Sequence, residues 1–206
     1  MRTRIKICGI TRTEDAHAAV TCGVDALGLV FYPPSPRHLS IDQAAEIARH
    51  VAPFVTLVGL FVDATAAEVE AVLARVPLGL LQFHGDESPE QCDHYRLPYI
   101  KAIRMQEGVD LRQVARDYKN SQGLLLDSYQ PGLPGGTGYC FDWSRVPQQL
   151  DKPLILAGGL TPENVALAIR TTRPYAVDVS GGVEISKGIK DAEKMAAFIK
   201  AVESVH

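Results

Sequence analysis

The sequence predicts an α/β fold, a single closed (β/α)8 barrel, and three observations carry that expectation. Short apolar, β-rich runs alternate with amphipathic helical stretches from one end of the chain to the other. The runs are apolar nearly throughout, which suits parallel strands covered by helices rather than strands with one wet face. Eight such runs in 206 residues leave about 26 residues per βα unit, at the small end for this architecture. A doubly wound open sheet permits the same alternation but rarely needs eight regular units in succession. No linker, low-complexity tract or charge run divides the chain, so residues 1–206 read as one domain.

The elements follow in order. Strands are expected at 4–8, 26–31, 55–62, 79–83, 99–103, 123–126, 154–157 and 175–179. Between them, Thr11…Glu14, Ser40…Gln43, Thr65…Glu68 and Ser88…Gln91 have the spacing of a capping box, in which two orphan backbone donors are satisfied reciprocally. Pro89 and Pro162 fall where a first helical residue would stand, and there a missing N–H costs nothing. Val69, Val72 and Leu73 in 65–75, and Val165, Leu167, Ala168 and Ile169 in 161–171, form helical stripes rather than strand alternation. Eight helical intervals are therefore expected. The one irregular segment is 128–139, with its Gly- and Pro-rich core QPGLPGGTG.

Composition narrows the function. Apolar residues make up 46% of the chain and charged residues 22%, enough for a sizeable core. A net charge of -3 argues against a nucleic-acid or anionic-membrane partner. Cys8, Cys22, Cys92 and Cys140 show no C-x-x-C spacing and, with no secretory signal, read as reduced thiols of a cytoplasmic protein. The strongest apolar stretch, 54–62, has the length of a strand, well short of the ~18 residues of a membrane span. No H-x-x-x-H pair suggests a metal, and no G-x-G-x-x-G or G-x-x-x-x-G-K-[ST] suggests a nucleotide.

In such a barrel the chemistry sits at the carboxyl ends of the strands. Those ends hold Cys8, Gln82, His84, Asp127, Gly158, Gly159, Asp178 and Ser180. Side chains two apart share a face, so Lys6 goes with Cys8, Gln82 with His84, and Asp178 with Ser180. Each alone has a bland explanation: Cys8 as a small core residue, His84 as a turn histidine, Asp127 as a turn initiator. Several polar groups converging on one rim favour a site. Gly158-Gly159 after strand seven and Ser180-Gly181-Gly182 after strand eight stand where barrels commonly hold phosphate, on backbone N–H groups that glycine lets approach an anion. The residues thus point to a phosphorylated small-molecule substrate, a thiol and a carboxyl group. These could be base and acid for proton transfer beside a carbonyl or imine, or a nucleophile and its helper.

Seven motifs run along the chain: KICGIT at 6–11, FYPPSPR at 31–37, QFHG at 82–85, LDS at 126–128, GGTG at 135–138, AGGL at 157–160 and DVSGGVE at 178–184. In these the chain resembles the phosphoribosylanthranilate isomerases of tryptophan biosynthesis. The resemblance spans nearly the whole chain in order. It implies a (β/α)8 barrel that needs no cofactor and no metal and performs an Amadori rearrangement. N-(5-phosphoribosyl)anthranilate becomes 1-(2-carboxyphenylamino)-1-deoxyribulose 5-phosphate. By resemblance Asp127 is the general acid that opens the furanose ring, and Cys8, as thiolate, is the base that takes the C2 proton. Arg37 would hold the anthranilate carboxylate, Gln82, His84 and Asp178 would contact or orient substrate, and Gly158, Gly159, Ser180, Gly181 and Gly182 would take the phosphate. Lys6, if its ammonium reaches, would help to ionise Cys8. Assembly is expected as a monomer or homodimer. Indole-glycerol-phosphate synthase and the histidine-pathway isomerase are the enzymatic rivals. The first typically uses Lys and Glu, and the second two aspartates with half-barrel repetition that is not found in this sequence. A non-catalytic phospho-ligand binder is the rival of another class.

Overall fold

The computed structural model describes residues 2–128 and 141–205. Eight strands close into a barrel in chain order. They are β1 (Arg4–Cys8), β2 (Ala26–Val30), β3 (Thr56–Phe61), β4 (Leu80–Phe83), β5 (Tyr99–Arg104), β6 (Gly123–Asp127), β7 (Leu154–Leu156) and β8 (Ala176–Val179). Every pairing is parallel, and β8 returns to β1 with Asp178 opposite Lys6, so the ring has no edge and the open sheet is ruled out.

The helices are α1 (Thr13–Thr21), α2 (Ile41–Arg49), α3 (Ala66–Leu73), α4 (Pro89–Cys92), α5 (Leu111–Asp117), α6 (Val165–Thr172) and α7 (Ala192–Glu203). Ser40, Thr65 and Ser88 each close a reciprocal capping box, the last with Pro89 in the first turn. Three expectations need correction. The fourth box, at Thr11, does not form: its hydroxyl donates instead to the Gly188 carbonyl, and α1 starts after Arg12 with no side-chain cap. Pro162 precedes α6 by a turn, because Asn164 is the residue that organises this entry, accepting from Thr161 N at 2.8 Å and donating to Gly159 O at 2.9 Å. Leu167 is 55% exposed and leaves the α6 stripe to Val165, Ala168 and Ile169. Among the described residues the β6–β7 interval contains only a 3-10 turn, Trp143–Arg145. Pro147 and Pro153 leave little room there for a longer helix. The glycine-rich core of 128–139 and Cys140 lie outside the described residues. A short hairpin, β9 (Glu184–Ser186) and β10 (Ile189–Lys190), was not anticipated.

Outward-facing strand residues pack with the helices in the main core, which includes Ile5, Ile7, Leu27, Leu29, Phe61, Leu81 and Phe83. The lumen is layered. Its lower part is apolar, built from Ile100, Ala102, Leu125, Ile155 and Ala176. Towards the carboxyl ends it turns polar, with Lys6, Gln82, Asp127 and Asp178 all buried. Outside this lumen, Lys101 is locked to Glu87 Oε2 at 3.0 Å and to Gly85 O at 2.7 Å. Glu87 in turn accepts from Asp63 N at 2.9 Å, so one buried pair ties the ends of β3, β4 and β5 together. Among the described residues no helix is long and apolar enough to cross a membrane.

Candidate active site

Cys8, Gln82, His84, Asp127 and Asp178 gather at the carboxyl-end rim in two linked groups. The first begins on β4. Gln82 Nε2 lies 2.9 Å from His84 Nδ1, and His84 Nε2 lies 3.1 Å from Asp127 Oδ2 at the end of β6. Asp127 Oδ1 accepts from Ser128 N at 2.9 Å, so the turn-initiating role and the site role are played by different oxygens. Ser128 Oγ is buried with no partner among the described residues. The second group joins β8 to β1. Lys6 Nζ donates to Asp178 Oδ1 at 2.9 Å, both side chains nearly inaccessible, and the same ammonium is within electrostatic reach of Cys8. Asp178 is within electrostatic reach of Cys8 on one side and of Asp127 and His84 on the other.

These surroundings act on the Cys8 thiol in opposite senses. Burial pushes it up, Lys6 and Lys190 pull it down, Asp178 pushes it up again, and the result lies above the ordinary thiol value. Burial also penalises the Lys6 ammonium, but the Asp178 and Cys8 charges more than offset this and leave it firmly protonated. Native Cys8 thus holds its proton more tightly than an ordinary thiol of pKa ~8.5. The stability this contributes is intact below that value and is lost as pH climbs through the raised one. Asp178→Asn removes the acidic charge that opposes ionisation of Cys8 and frees the Lys6 ammonium from its carboxylate partner. It should lower the pH of Cys8 ionisation by about one unit or more, read as thiolate ultraviolet absorbance against the matching Cys8→Ala background.

Cys8 has space because Gly28 faces it on β2: a Cβ there would stand 2.6 Å from the sulfur. Ser180 Oγ donates to Cys8 O at 2.9 Å, which fixes the start of the β8 loop against the end of β1.

Arg37 is held more firmly than its place after a Pro-rich turn suggests. Its Nε and Nη2 each donate to Glu184 at 2.7 Å, in a bidentate pair of two nearly buried side chains. Glu184 also accepts from Lys190 Nζ at 2.8 Å, and Lys190 donates to Ser180 O at 3.2 Å. Burial works against the Glu184 carboxylate, but Arg37 and Lys190 outweigh it and hold its pKa below the ordinary value. Glu184 and Lys190 were not singled out by sequence reading. Glu184 occupies one edge of the guanidinium, and the edge formed by Nη1 and Nη2 has no second partner among the described residues.

The two glycine clusters meet. A Cβ on Gly182 would stand 1.9 Å from Leu160 O, so the β8 loop rests directly on the β7 loop. Gly158 and Gly159 both have φ in the left-handed region, at 79° and 65°. Gly158 also backs onto Asp127, whose Oδ1 a Cβ would approach to 2.9 Å. A separate cavity of about 430 Å³, lined in part by Arg2, Lys152, Leu154, Arg173 and Tyr175, opens at the amino-terminal ends of the strands and holds none of these groups.

The chain is similar to known proteins along nearly its whole length. The family model for N-(5'-phosphoribosyl)anthranilate isomerase matches residues 5–201. The N-(5'-phosphoribosyl)anthranilate isomerase of Nitrosococcus oceani is 61% identical over 206 residues, all of both chains. A solved phosphoribosyl anthranilate isomerase in complex with reduced 1-(o-carboxyphenylamino)-1-deoxyribulose 5-phosphate is 39% identical, with 98% of this chain and 99% of that one covered and a TM-score of 0.87. Monomers generated from the dimeric isomerase of Thermotoga maritima are 38% identical over 98% of each chain, with a TM-score of 0.86. By fold, by motif and by a match along almost its whole length, the chain belongs to the N-(5'-phosphoribosyl)anthranilate isomerase family.

Proposed function

We propose that the chain performs its family's Amadori rearrangement with Asp127 as general acid and Cys8 as general base. The observation that carries this reading is the pairing at the rim. A carboxyl group is held by His84, a thiol feels the charge of the Lys6 ammonium, and Asp178, paired with Lys6, is within electrostatic reach of both. Asp127 protonates the furanose ring oxygen, the C1–O bond breaks, and the anthranilate nitrogen supplies the electrons for a cationic imine. That cation makes the C2 proton acidic and favours a thiolate beside it. Cys8 removes the proton, and the resulting enolamine tautomerises to the ketone. No cofactor enters these steps. Freshly prepared phosphoribosylanthranilate loses its fluorescence on conversion, and the purified chain should cause that loss catalytically. Absence of turnover with this substrate would remove the reading and leave the phospho-ligand binder.

Arg37 is assigned to the anthranilate carboxylate. With Glu184 on one edge, the guanidinium still offers a two-point fork to a planar carboxylate. Lysine has a single point of charge and cannot serve both partners. Arg37→Lys should therefore raise KM about tenfold or more with a smaller change in kcat, as loss of uniform binding requires.

The phosphate is assigned to Gly158, Gly159, Ser180, Gly181 and Gly182, supported by the contact between the two loops. Gly159→Ala strains a left-handed backbone by about 1–2 kcal/mol and displaces the N–H groups from the anion. KM for the phosphorylated substrate should rise about tenfold. An unphosphorylated ribosylanthranilate, already a poor substrate, should be scarcely affected. Equal losses on both substrates would make the clusters structural turns. Assembly is proposed as a monomer or homodimer in the cytoplasm, the dimeric Thermotoga maritima relative favouring the second form.

A further inference from the structure

The short β9–β10 hairpin sets Glu184 opposite Lys190, and both residues are buried. Glu184 Oε1 accepts from Arg37 Nε at 2.7 Å, Lys190 Nζ at 2.8 Å and Gly188 N at 3.3 Å, and Oε2 accepts from Arg37 Nη2 at 2.7 Å. The carboxylate is thus occupied by the protein itself, and its effect on a substrate must pass through Arg37. A free arginine side chain samples many rotamers, whereas this one is fixed along its length. Its stem crosses Gly9, where an added Cβ would stand 2.4 Å from Arg37 Cδ, and its head is locked to Glu184.

The arrangement leaves a charge to be met. Arg37 and Lys190 share one carboxylate, and the Nη1–Nη2 edge of the guanidinium has no partner among the described residues. A nearly buried fork of that kind is completed by a planar anion. The fork stands close to the thiol. Gly9 follows Cys8 in the chain, and Lys190 Nζ donates to Ser180 O at 3.2 Å and to its Oγ at 3.3 Å, while Ser180 Oγ donates to Cys8 O. Cys8 also belongs to an apolar cluster with Val30 and Leu60, against which Tyr32 and Val62 pack, a surface suited to an aryl ring.

We propose that Glu184, held in turn by Lys190, is a positioning residue that makes the site selective for an aglycone bearing a carboxylate. By taking the Nε–Nη2 edge it presents the other edge of Arg37 to the ligand in one fixed orientation. The ordering of the guanidinium is then complete before the ligand arrives, and the gain falls only on ligands that can use both N–H groups. Through-space charge acts in the opposite sense, since Glu184 is itself an anion and repels the carboxylate that Arg37 attracts.

The proposal rests on Arg37 binding the aglycone carboxylate, and its test keeps the two apart. Calorimetry compares two ligands: reduced 1-(o-carboxyphenylamino)-1-deoxyribulose 5-phosphate, the compound held by the solved relative, and its phenylamino counterpart without the carboxylate. Both share sugar and phosphate, so a general disturbance of the rim weakens both alike. In Glu184→Gln the amide turns a donor towards a donor and cannot hold Arg37 at both points. It should weaken the carboxylated ligand about tenfold or more and the other by less than about twofold. Tighter binding of the carboxylated ligand, equal losses on both ligands, or no change in either overturns the proposal. If Glu184→Gln leaves Lys190 unpaired and does not fold, Glu184→Leu/Lys190→Met removes both charges, and the same selective loss is expected of it. Arg37→Met tests the assignment beneath: equal losses there sink the assignment and the proposal with it. A selective loss in Arg37→Met with none in the Glu184 variants sinks the proposal alone.

Discussion

Asp127→Asn is expected to lower kcat by ~10²-fold or more, the span of general acid catalysis, with little effect on folding. The amide oxygen can still accept from Ser128 N, as Oδ1 does now at 2.9 Å, so the end of β6 keeps its geometry. What is lost is the ability to give up a proton, without which the sugar ring stays closed. Single-turnover and steady-state rates, alongside a thermal melt, check the expectation. More than about a tenth of wild-type activity would place the acid elsewhere, with Asp178 the next carboxyl to test.

Cys8→Ala should be comparably damaging, again ~10²-fold or more in kcat. It should largely keep its affinity for a product analogue, because the thiol acts on the C2 proton and the phosphate and carboxylate are held elsewhere. Its effect on stability should be modest. The side chain is small and sits against the Gly28 hollow, and its neighbours Val30 and Leu60 are part of the same small cluster. Stopped-flow turnover with equilibrium binding of the analogue separates the two effects. A near-normal kcat would exclude Cys8 as the base.

The strands were legible because parallel strands buried on both faces read as unbroken apolar runs, and their observed ends differ from the expected ones by no more than a residue. Local chemistry was legible where it stayed local, as at the Ser40, Thr65 and Ser88 caps. It failed where a distant partner intervened. Thr11 looks like a cap in sequence but is drawn to the Gly188 carbonyl, 177 residues away. The pairing of Arg37 with Glu184, 147 residues apart, and the hairpin that delivers Lys190 had no local signal. Convergence on the rim was foreseeable from strand ends and side-chain parity. The partners on it were not: nothing in the spacing of Gln82, His84 and Asp127 says that the three form one hydrogen-bonded chain.

The layered lumen divides the labour of selection. The apolar lower layer of Ile100, Ala102, Leu125, Ile155 and Ala176 answers for persistence of the fold, and the polar upper layer answers for the reaction. Substitutions below should be purged for what they do to abundance, and substitutions above for what they do to flux. The two demands fall on different side chains. A lineage with this barrel can therefore alter the molecules it transforms by exchanging rim residues, while the material that keeps the protein in existence is inherited unchanged.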